Sequence, residues 1–328
     1  MDQRGSTMAE SRQHGMRRII SNTPSASMAF EFKPSEPSGD ALQRVAEKEL
    51  ENALTLLRAT NEPLDERVHE TRKHLKKLRA LFALGEGSLG GTKLSRYAKT
   101  LRRAALALAE LRSRAALSEC FTNLERVFRD ELEASSVERA RALLDDHEAT
   151  GENARFDGLG AAEALLVELE RRLKEAPFEG SSWGALEPGF RHTYSRARKA
   201  YAEAMKRPGA ETLHAFRTPA KRHSYQVQLL AALWPGLLDA HREELARLGD
   251  LLGDHHDLAL LGPELEERGL EREHLRALER LIERRSRDLE ERIFALGARL
   301  FAERPKAITR RFAAYFDAVP LPADSEPA

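Results

Sequence analysis

Apolar residues recur at helical spacing along most of this chain. In the segment 68–79, for example, Val68, Leu75 and Leu78 fall on one stripe when each residue advances by about 100°. Similar periods predict helices over 39–60, 63–84, 94–132, 137–144, 161–173, 183–205 and 237–261. They also predict a helix after Pro208 that carries His214, one or two helices over 264–301, and a last helix over 305–316. No segment shows the sustained alternation, or the richness in Val and Ile, that is typical of strands. The pattern therefore predicts an all-α fold.

The polar side of the predicted helix 63–84 gathers positive charge. An arc of roughly a quarter turn consists of His69, Arg72, Lys73 and Lys76. Arg79 lies at the border between this arc and the apolar stripe. A solvated helix face normally carries acids at i and i+4 that relieve like-charge repulsion, but Glu70, the one acid available here, is predicted to lie off the arc. The pattern favours a helix that faces an anion over a plain surface helix.

The same pattern returns later in the chain. The spacing of a histidine, an arginine at +3 and basic residues at +7 and +8 is shared by two segments. The matched pairs are His69 and His214, Arg72 and Arg217, Lys76 and Lys221, and Lys77 and Arg222. A second match, at nearly the same offset, aligns residues 108–113 with residues 252–257. Two matches at similar separation indicate an internal duplication, with halves of roughly 28–150 and 158–317 divided by the polar, glycine-containing segment 147–160.

Further basic stripes lie outside these two segments. They comprise Arg96, Lys99, Arg102 and Arg103 in the zone 94–132; Arg191, Arg196, Arg198 and Lys199 in the helix 183–205; and Lys306, Arg310 and Arg311 in the last helix. The net charge of the chain is nevertheless zero, with 53 basic and 53 acidic residues. A polyanion could therefore bind only if the cations are segregated, with acids on outer faces such as 264–291.

The ends and the single cysteine bear on location. Residues 1–27 are rich in Ser, Pro, Gly and Arg without an apolar period, so they are predicted to form a disordered tail, and residues 318–328 a C-terminal tail. We find no signal-peptide pattern and no apolar run of the roughly 18 residues that a membrane span needs. Cys120 alone excludes an internal disulfide and suits a reducing compartment. These features predict a cytoplasmic protein without membrane partners.

Together the motifs resemble the CHAD domain, the conserved-histidine α-helical domain, over about residues 28–317. The resemblance rests on His69-x-x-Arg72-x-x-x-Lys76-Lys77-x-Arg79, on its repeat His214-x-x-Arg217-x-x-x-Lys221-Arg222-x-x-Tyr225, on Leu252-Gly253-Asp254-x-x-Asp257, on Tyr194-x-x-x-Arg198-Lys199 and on Phe30-Glu31-Phe32. It implies two pseudo-symmetric antiparallel helical bundles around a shared basic cleft, which binds inorganic polyphosphate. It also implies a place on polyphosphate granules. We expect no cofactor and no metal, because the run from Asp254 to Asp257 has no second cluster of ligands to close a metal site.

The residues expected to bind polyphosphate follow from the motifs and the basic stripes. They are His69, Arg72, Lys73, Lys76, Lys77, Arg79, Arg96, Lys99, Arg103, Arg198, Lys199, His214, Arg217, Lys221, Arg222, Lys306 and Arg310. Three positions depart from the expected pattern. Ser224 stands where the family usually has Arg, Ser113 stands opposite Asp257 in the duplication, and Pro219 should kink its helix or restart it with Thr218 as cap.

The chain offers little for catalysis. It has no P-loop, no Glu-x-Glu-x-Lys signature of triphosphate tunnel domains, and no recognisable nucleophile setting. A binding protein is therefore predicted, not an enzyme. The alternative is a metal-dependent phosphohydrolase or signalling domain built on His69, His214, Asp254 and Asp257. Nonspecific nucleic-acid binding is a further alternative, disfavoured because aromatic residues make up only 6% of the chain and do not interleave with the basic stripes. The sequence leaves the oligomeric state open.

Overall fold

The computed structural model describes residues 30–33, 36–109, 113–145 and 152–319, with side chains from 116 and 158 onward in the last two segments. All regular elements in these ranges are helices, which confirms the all-α prediction. The α-helices are α1 Ser38–Arg58, α2 Leu64–Leu84, α3 Glu86–Leu89, α4 Gly91–Ala107, α5 Ser113–Val127, α6 Ala134–Asp145, α7 Glu152–Glu175, α8 Glu187–Lys206, α9 Ala210–Leu229, α10 Pro235–Glu267, α11 Arg272–Leu300 and α12 Pro305–Asp317. Single 3₁₀ turns precede α8 and α10.

The structure corrects three expectations about where helices break. The zone 94–132 is divided, because α4 ends at Ala107 and α5 starts at Ser113. The segment 147–160 was predicted to divide the halves, yet α7 already begins at Glu152, and residues 147–151 lie outside the described range. Pro219 neither breaks nor restarts α9, which continues through it. The buried neighbours of this proline, Phe216 and Ala220, anchor both flanking turns, so packing outweighs the lost backbone donor.

Neighbouring helices pack pairwise, α1 on α2, α8 on α9, α9 on α10, and α10 on α11. The two predicted halves interlock: α7, placed in the second half, packs on α1 and α4, while α5 of the first half packs on α10 and α11. The pseudo-symmetry of the halves stays a prediction. None of the described helices is long and apolar enough to cross a membrane.

The two basic helices, α2 and α9, are direct neighbours, and α8 packs against both. Gly189 of α8 lies so close to α2 that a Cβ added there would be 2.0 Å from the carbonyl oxygen of Ala83. At the same junction, the buried Gln226 of α9 donates through Nε2 to the Ala80 oxygen (3.3 Å) and to Thr193 Oγ1 (3.1 Å). These contacts fix the relative positions of α2, α8 and α9. Basic side chains from all three helices meet at the edge of this junction.

Candidate anion-binding site

A pocket of about 380 Å³ lies where α2, α4, α8 and α9 meet. Each of these helices contributes positive charge to its wall. The cationic lining residues, called the cation cluster below, are Arg79 of α2, Lys99 and Arg102 of α4, Arg196 of α8 and Arg222 of α9. One residue of each of the two basic helices, Arg79 of α2 and Arg222 of α9, lines this pocket.

Burial and mutual repulsion disfavour the charges of two arginines in the cation cluster. Burial, and then the positive charge of Arg102, lower the pKa of Arg79. Burial, and then Arg79 and Arg196, lower the pKa of Arg222. These guanidinium groups therefore repel one another in a partly desolvated setting, where charges interact more strongly than in water.

Within the described residues, acids form no ion pair with the cations of the cluster. Glu86 is the one acid in the lining as described, and its Oε2 lies 3.3 Å from Nδ1 of His192. Across the described part of the chain, no carboxylate oxygen lies within 4.0 Å of a cationic nitrogen of the cluster. A bound anion would supply the missing negative charge.

Helix periodicity explains why these side chains converge. Lys99 and Arg102 are three residues apart on α4, so they share one side of it, while Tyr97, Leu101 and Ala104 are buried. The sequence of α4, residues 91–107, contains no acid, so every charged residue on its outer face is basic. On that face Arg96 and Arg103 are exposed but do not line the pocket.

Sequence reasoning found three cluster members, Arg79, Lys99 and Arg222, and missed two. Arg102 and Arg196 both belong to stripes visible in the sequence, but Arg103 and Arg198 were selected from those stripes instead. Arg102 and Arg103 differ by about 100° around α4, whereas Arg196 and Arg198 differ by about 200° around α8. The sequence-based choice therefore fell on a neighbouring direction in α4 and on nearly the opposite side of α8. Lys199 lies next to the cluster, in a groove between α8 and α9 whose lining also includes Arg196 and Arg207.

The cationic arc of α2 is engaged with the protein itself. Arg72 Nη1 donates to the carbonyl oxygens of Ala105 (3.2 Å) and Leu108 (3.0 Å) at the C-terminal end of α4, where a cation is favourable. Lys73 Nζ lies 3.2 Å from Glu70 Oε2, and His69 Nε2 lies 3.8 Å from Glu70 Oε1. The expectation that Glu70 lies off the arc is therefore wrong, since its side chain reaches an adjacent residue and one at i+3.

Lys77 is directed into the protein. Its Nζ lies 3.2 Å from Oε1 of the fully buried Glu49 and 4.8 Å from the centre of the Phe30 ring. His74 Nδ1 lies 2.5 Å from the other oxygen of Glu49. These contacts fix Lys77 in a buried charge network, away from the pocket, whereas Lys76, the last member of the arc, is half-buried.

The residues of α9 that match the basic motif of α2 point toward α10. Lys221 Nζ lies 2.9 Å from Asp250 Oδ1, and His214 Nδ1 lies 3.0 Å from His256 Nδ1. A Cβ added at Gly253 would lie 3.6 Å from Arg217 Nη2, so the arginine side chain lies against α10 at a position that has no side chain. The side of α9 that carries Arg217 and Lys221 is thus a helix–helix contact.

Three further predicted residues lie elsewhere. Arg198 Nε donates to the Phe301 oxygen at 3.1 Å, at the C-terminal end of α11. Lys306 and Arg310 are exposed on α12, which packs on α8, and neither lines the pocket of the cation cluster. The structure therefore gathers only part of the predicted set into one site.

Asp254 and Asp257 line a second, smaller pocket, of about 160 Å³, together with Glu119, Cys120 and Arg285. Burial, and then Asp257 and Asp254, raise the pKa of the Cys120 thiol to about 12, so it stays protonated at neutral pH. Among the residues that the structure describes, no three His, Cys, Asp or Glu side chains are placed to hold a metal ion.

These features define an all-helical protein in which four helices direct cations into one pocket. Residues 40–266 match the family model of the CHAD domain, which covers more than half of the chain. The chain therefore belongs to the CHAD domain family.

The fold agrees with this assignment. The crystal structure of the CHAD domain from the plant Ricinus communis is 16% identical in sequence and superposes with a TM-score of 0.53, over 90% of this chain and 96% of that one. At this level of identity the likeness concerns the fold alone. No curated protein is similar enough in sequence to be matched.

Proposed function

We propose that this CHAD domain protein binds inorganic polyphosphate through the cation cluster, as a binding protein and not as an enzyme. Support comes above all from the five converging cations, two of which have a lowered pKa because they are buried beside one another. Such a cluster costs stability unless an anion occupies it. Arginine suits this role because its planar fork donates paired hydrogen bonds to phosphate oxygens.

A long polyanion can also contact basic residues outside the pocket. Arg96 and Arg103 lie exposed on the same acid-free helix as Lys99 and Arg102, and the groove between α8 and α9 adds Lys199. Arg207 of that groove is paired with Glu203. Several phosphates of one chain can therefore be bound at once, and each further contact raises the effective concentration of the next. With this activity the protein would associate with polyphosphate granules wherever these form.

The catalytic alternative has less support. Asp254 and Asp257 line a pocket with Cys120, separate from the pocket of the cation cluster. His214 faces His256 on α10. The two pockets described above do not bring His69, His214, Asp254 and Asp257 together in one site.

Titration of the full-length protein with labelled long-chain polyphosphate at two salt concentrations tests the function. We expect tight binding that weakens log-linearly as salt rises, because bound phosphates release counterions. Orthophosphate should bind far more weakly, since one phosphate engages few cations at a time. Tight binding of duplex DNA with indifference to polyphosphate would assign the cluster to nucleic acid instead. Release of orthophosphate from the polymer would show that the protein is an enzyme.

A further inference from the structure

The pocket of the cation cluster is not purely basic. Five of its thirteen lining residues are apolar, namely Phe82, Ala83, Leu94, Ala98 and Leu101. They come from α2 and α4, the same two helices that contribute Arg79, Lys99 and Arg102. An apolar wall and a rim of guanidinium groups thus face the same space. Polar groups are also present on the α8 side, in His192 and the buried Thr193, and on α3, in Glu86.

A bare polyphosphate chain accounts for the cations of this lining but not for its apolar residues. Phe82 and Leu101 are almost fully buried, so the apolar surface open to a ligand comes from Ala83, Leu94 and Ala98. All outward atoms of a polyphosphate are hydrated oxygens, which gain nothing from contact with Leu94 or Ala98 and lose water there. Sites for small molecules, by contrast, are mostly apolar with a few placed polar groups, and have volumes of roughly 300–1,000 Å³. The pocket, at about 380 Å³, falls within this range.

We infer that the pocket takes a nucleoside oligophosphate, with its phosphates on the cation cluster and its heterocyclic base on the apolar wall. A base is flat, has apolar faces and polar edges, and stacks well on a guanidinium plane. Arg79 and Arg102 come from the same two helices as the apolar wall and can stack on the base while the remaining cations engage phosphate. Glu86 and His192, whose side chains are partly exposed, offer hydrogen-bonding groups for its edges.

The inference shares its arginines with the proposed function but makes a different claim, because the base contributes through the apolar wall. A nucleotide and a polyphosphate chain would compete for the cation cluster. The smaller ligand would then displace or limit the larger one in proportion to its concentration.

The test compares adenosine triphosphate, inorganic tripolyphosphate and adenosine by calorimetric titration of the full-length protein, without divalent metal and at fixed ionic strength. We expect adenosine triphosphate to bind about fivefold or more tightly than tripolyphosphate, the low end of what one stacked base contributes. Adenosine alone should bind too weakly to measure. Equal or tighter binding of tripolyphosphate, or no binding of either phosphate compound, would overturn the inference.

A substitution in the apolar wall separates the inference from the proposed function. Ala98 is exposed on α4 and lines the pocket, so Ala98→Leu should fill the space for the base without disturbing the core. We expect this variant to bind adenosine triphosphate no better than tripolyphosphate. Ala246→Leu, at an exposed alanine of α10, is the matched control. An unchanged preference in Ala98→Leu contradicts the inference alone, whereas failure of the parent to bind long polyphosphate contradicts the proposed function alone.

Discussion

Arg72 and Arg79 lie seven residues apart on α2 and belong to one motif, yet their surroundings differ. Arg72 donates to two carbonyl oxygens at the end of α4, so its charge stabilises the folded protein. Arg79 lies among other cations, and its lowered pKa shows that the folded state disfavours its charge. A motif of basic residues therefore combines a structural role with a candidate binding role.

Replacing Arg72 should cost stability, and replacing Arg79 should not. We expect Arg72→Gln to lower the free energy of unfolding by about 1–3 kcal/mol, because two carbonyl oxygens lose a charged donor. Arg79→Gln should leave that free energy equal or slightly higher, since it relieves repulsion from Arg102. Urea unfolding of both variants measures the difference. Equal loss in the two would show that Arg79 is also structural.

His223 is fully buried, and neither ring nitrogen has a hydrogen-bond partner among the described residues. Burial, and then the nearby His241, lower its pKa to about 3. The unfolded chain binds a proton at this residue below about pH 6.5, whereas the folded chain does so only near pH 3. Its contribution to stability is thus complete above pH 6.5 and is lost as the pH falls from there towards 3.

His223→Leu should make stability less sensitive to acid. Between pH 7 and pH 5 the parent should lose about 2 kcal/mol more free energy of unfolding than this variant, because the variant has no proton to take up there. Urea unfolding at the two pH values provides the measurement, with His241, whose pKa burial lowers to about 4, unchanged in both proteins. Identical losses would mean that His223 is not buried as a neutral ring.

At the scale of helices, the close approach of α8 to α2 depends on one glycine. A methyl group at position 189 would meet the backbone of Ala83 and Leu84, which cannot move as a flexible side chain can. We expect Gly189→Ala to lower the free energy of unfolding by at least about 2 kcal/mol. Gly160→Ala, in α7 with open space around it, should be neutral or stabilising because alanine favours helix. Thermal unfolding compares the two, and a harmless Gly189→Ala would show that the helices are not in contact.

Most helices were predictable because their apolar periods are long and regular. The arrangement of the helices in space was not predictable. The sequence of α7 does not show that this helix packs on α1 and α4 instead of on its neighbours in the sequence. The site was predictable only in part, for a related reason. A basic stripe identifies a face of one helix, but whether that face meets solvent, a carbonyl end or another basic helix depends on tertiary packing, as Arg72, Lys77 and Arg79 show.

At the scale of the whole molecule, equal numbers of acids and bases coexist with a local excess of positive charge. Exposed acids of α11, including Glu273, Glu279 and Glu283, alternate with arginines on the same surface. The cation cluster, in contrast, has Glu86 alone within its described lining. Charge segregation within a neutral chain can thus create a binding surface for a polyanion without making the protein a general polycation.

The central claim is that the cation cluster binds polyphosphate, and the affinity of a double variant tests it most directly. Arg79→Gln/Arg222→Gln removes the two cluster members contributed by α2 and α9, and Arg272→Gln/Arg276→Gln removes two exposed arginines of α11 as a control of equal charge. With labelled long-chain polyphosphate at moderate salt, the cluster variant should bind at least about tenfold more weakly, given the usual strength of charge-assisted hydrogen bonds. Its plot of log affinity against log salt should also be shallower by about 1.4–1.8, because two cations are removed and each phosphate contact contributes about 0.7–0.9 to the slope. The control should stay within about twofold of the parent. A folded cluster variant that binds polyphosphate as tightly as the parent, with the same salt dependence, would contradict the claim.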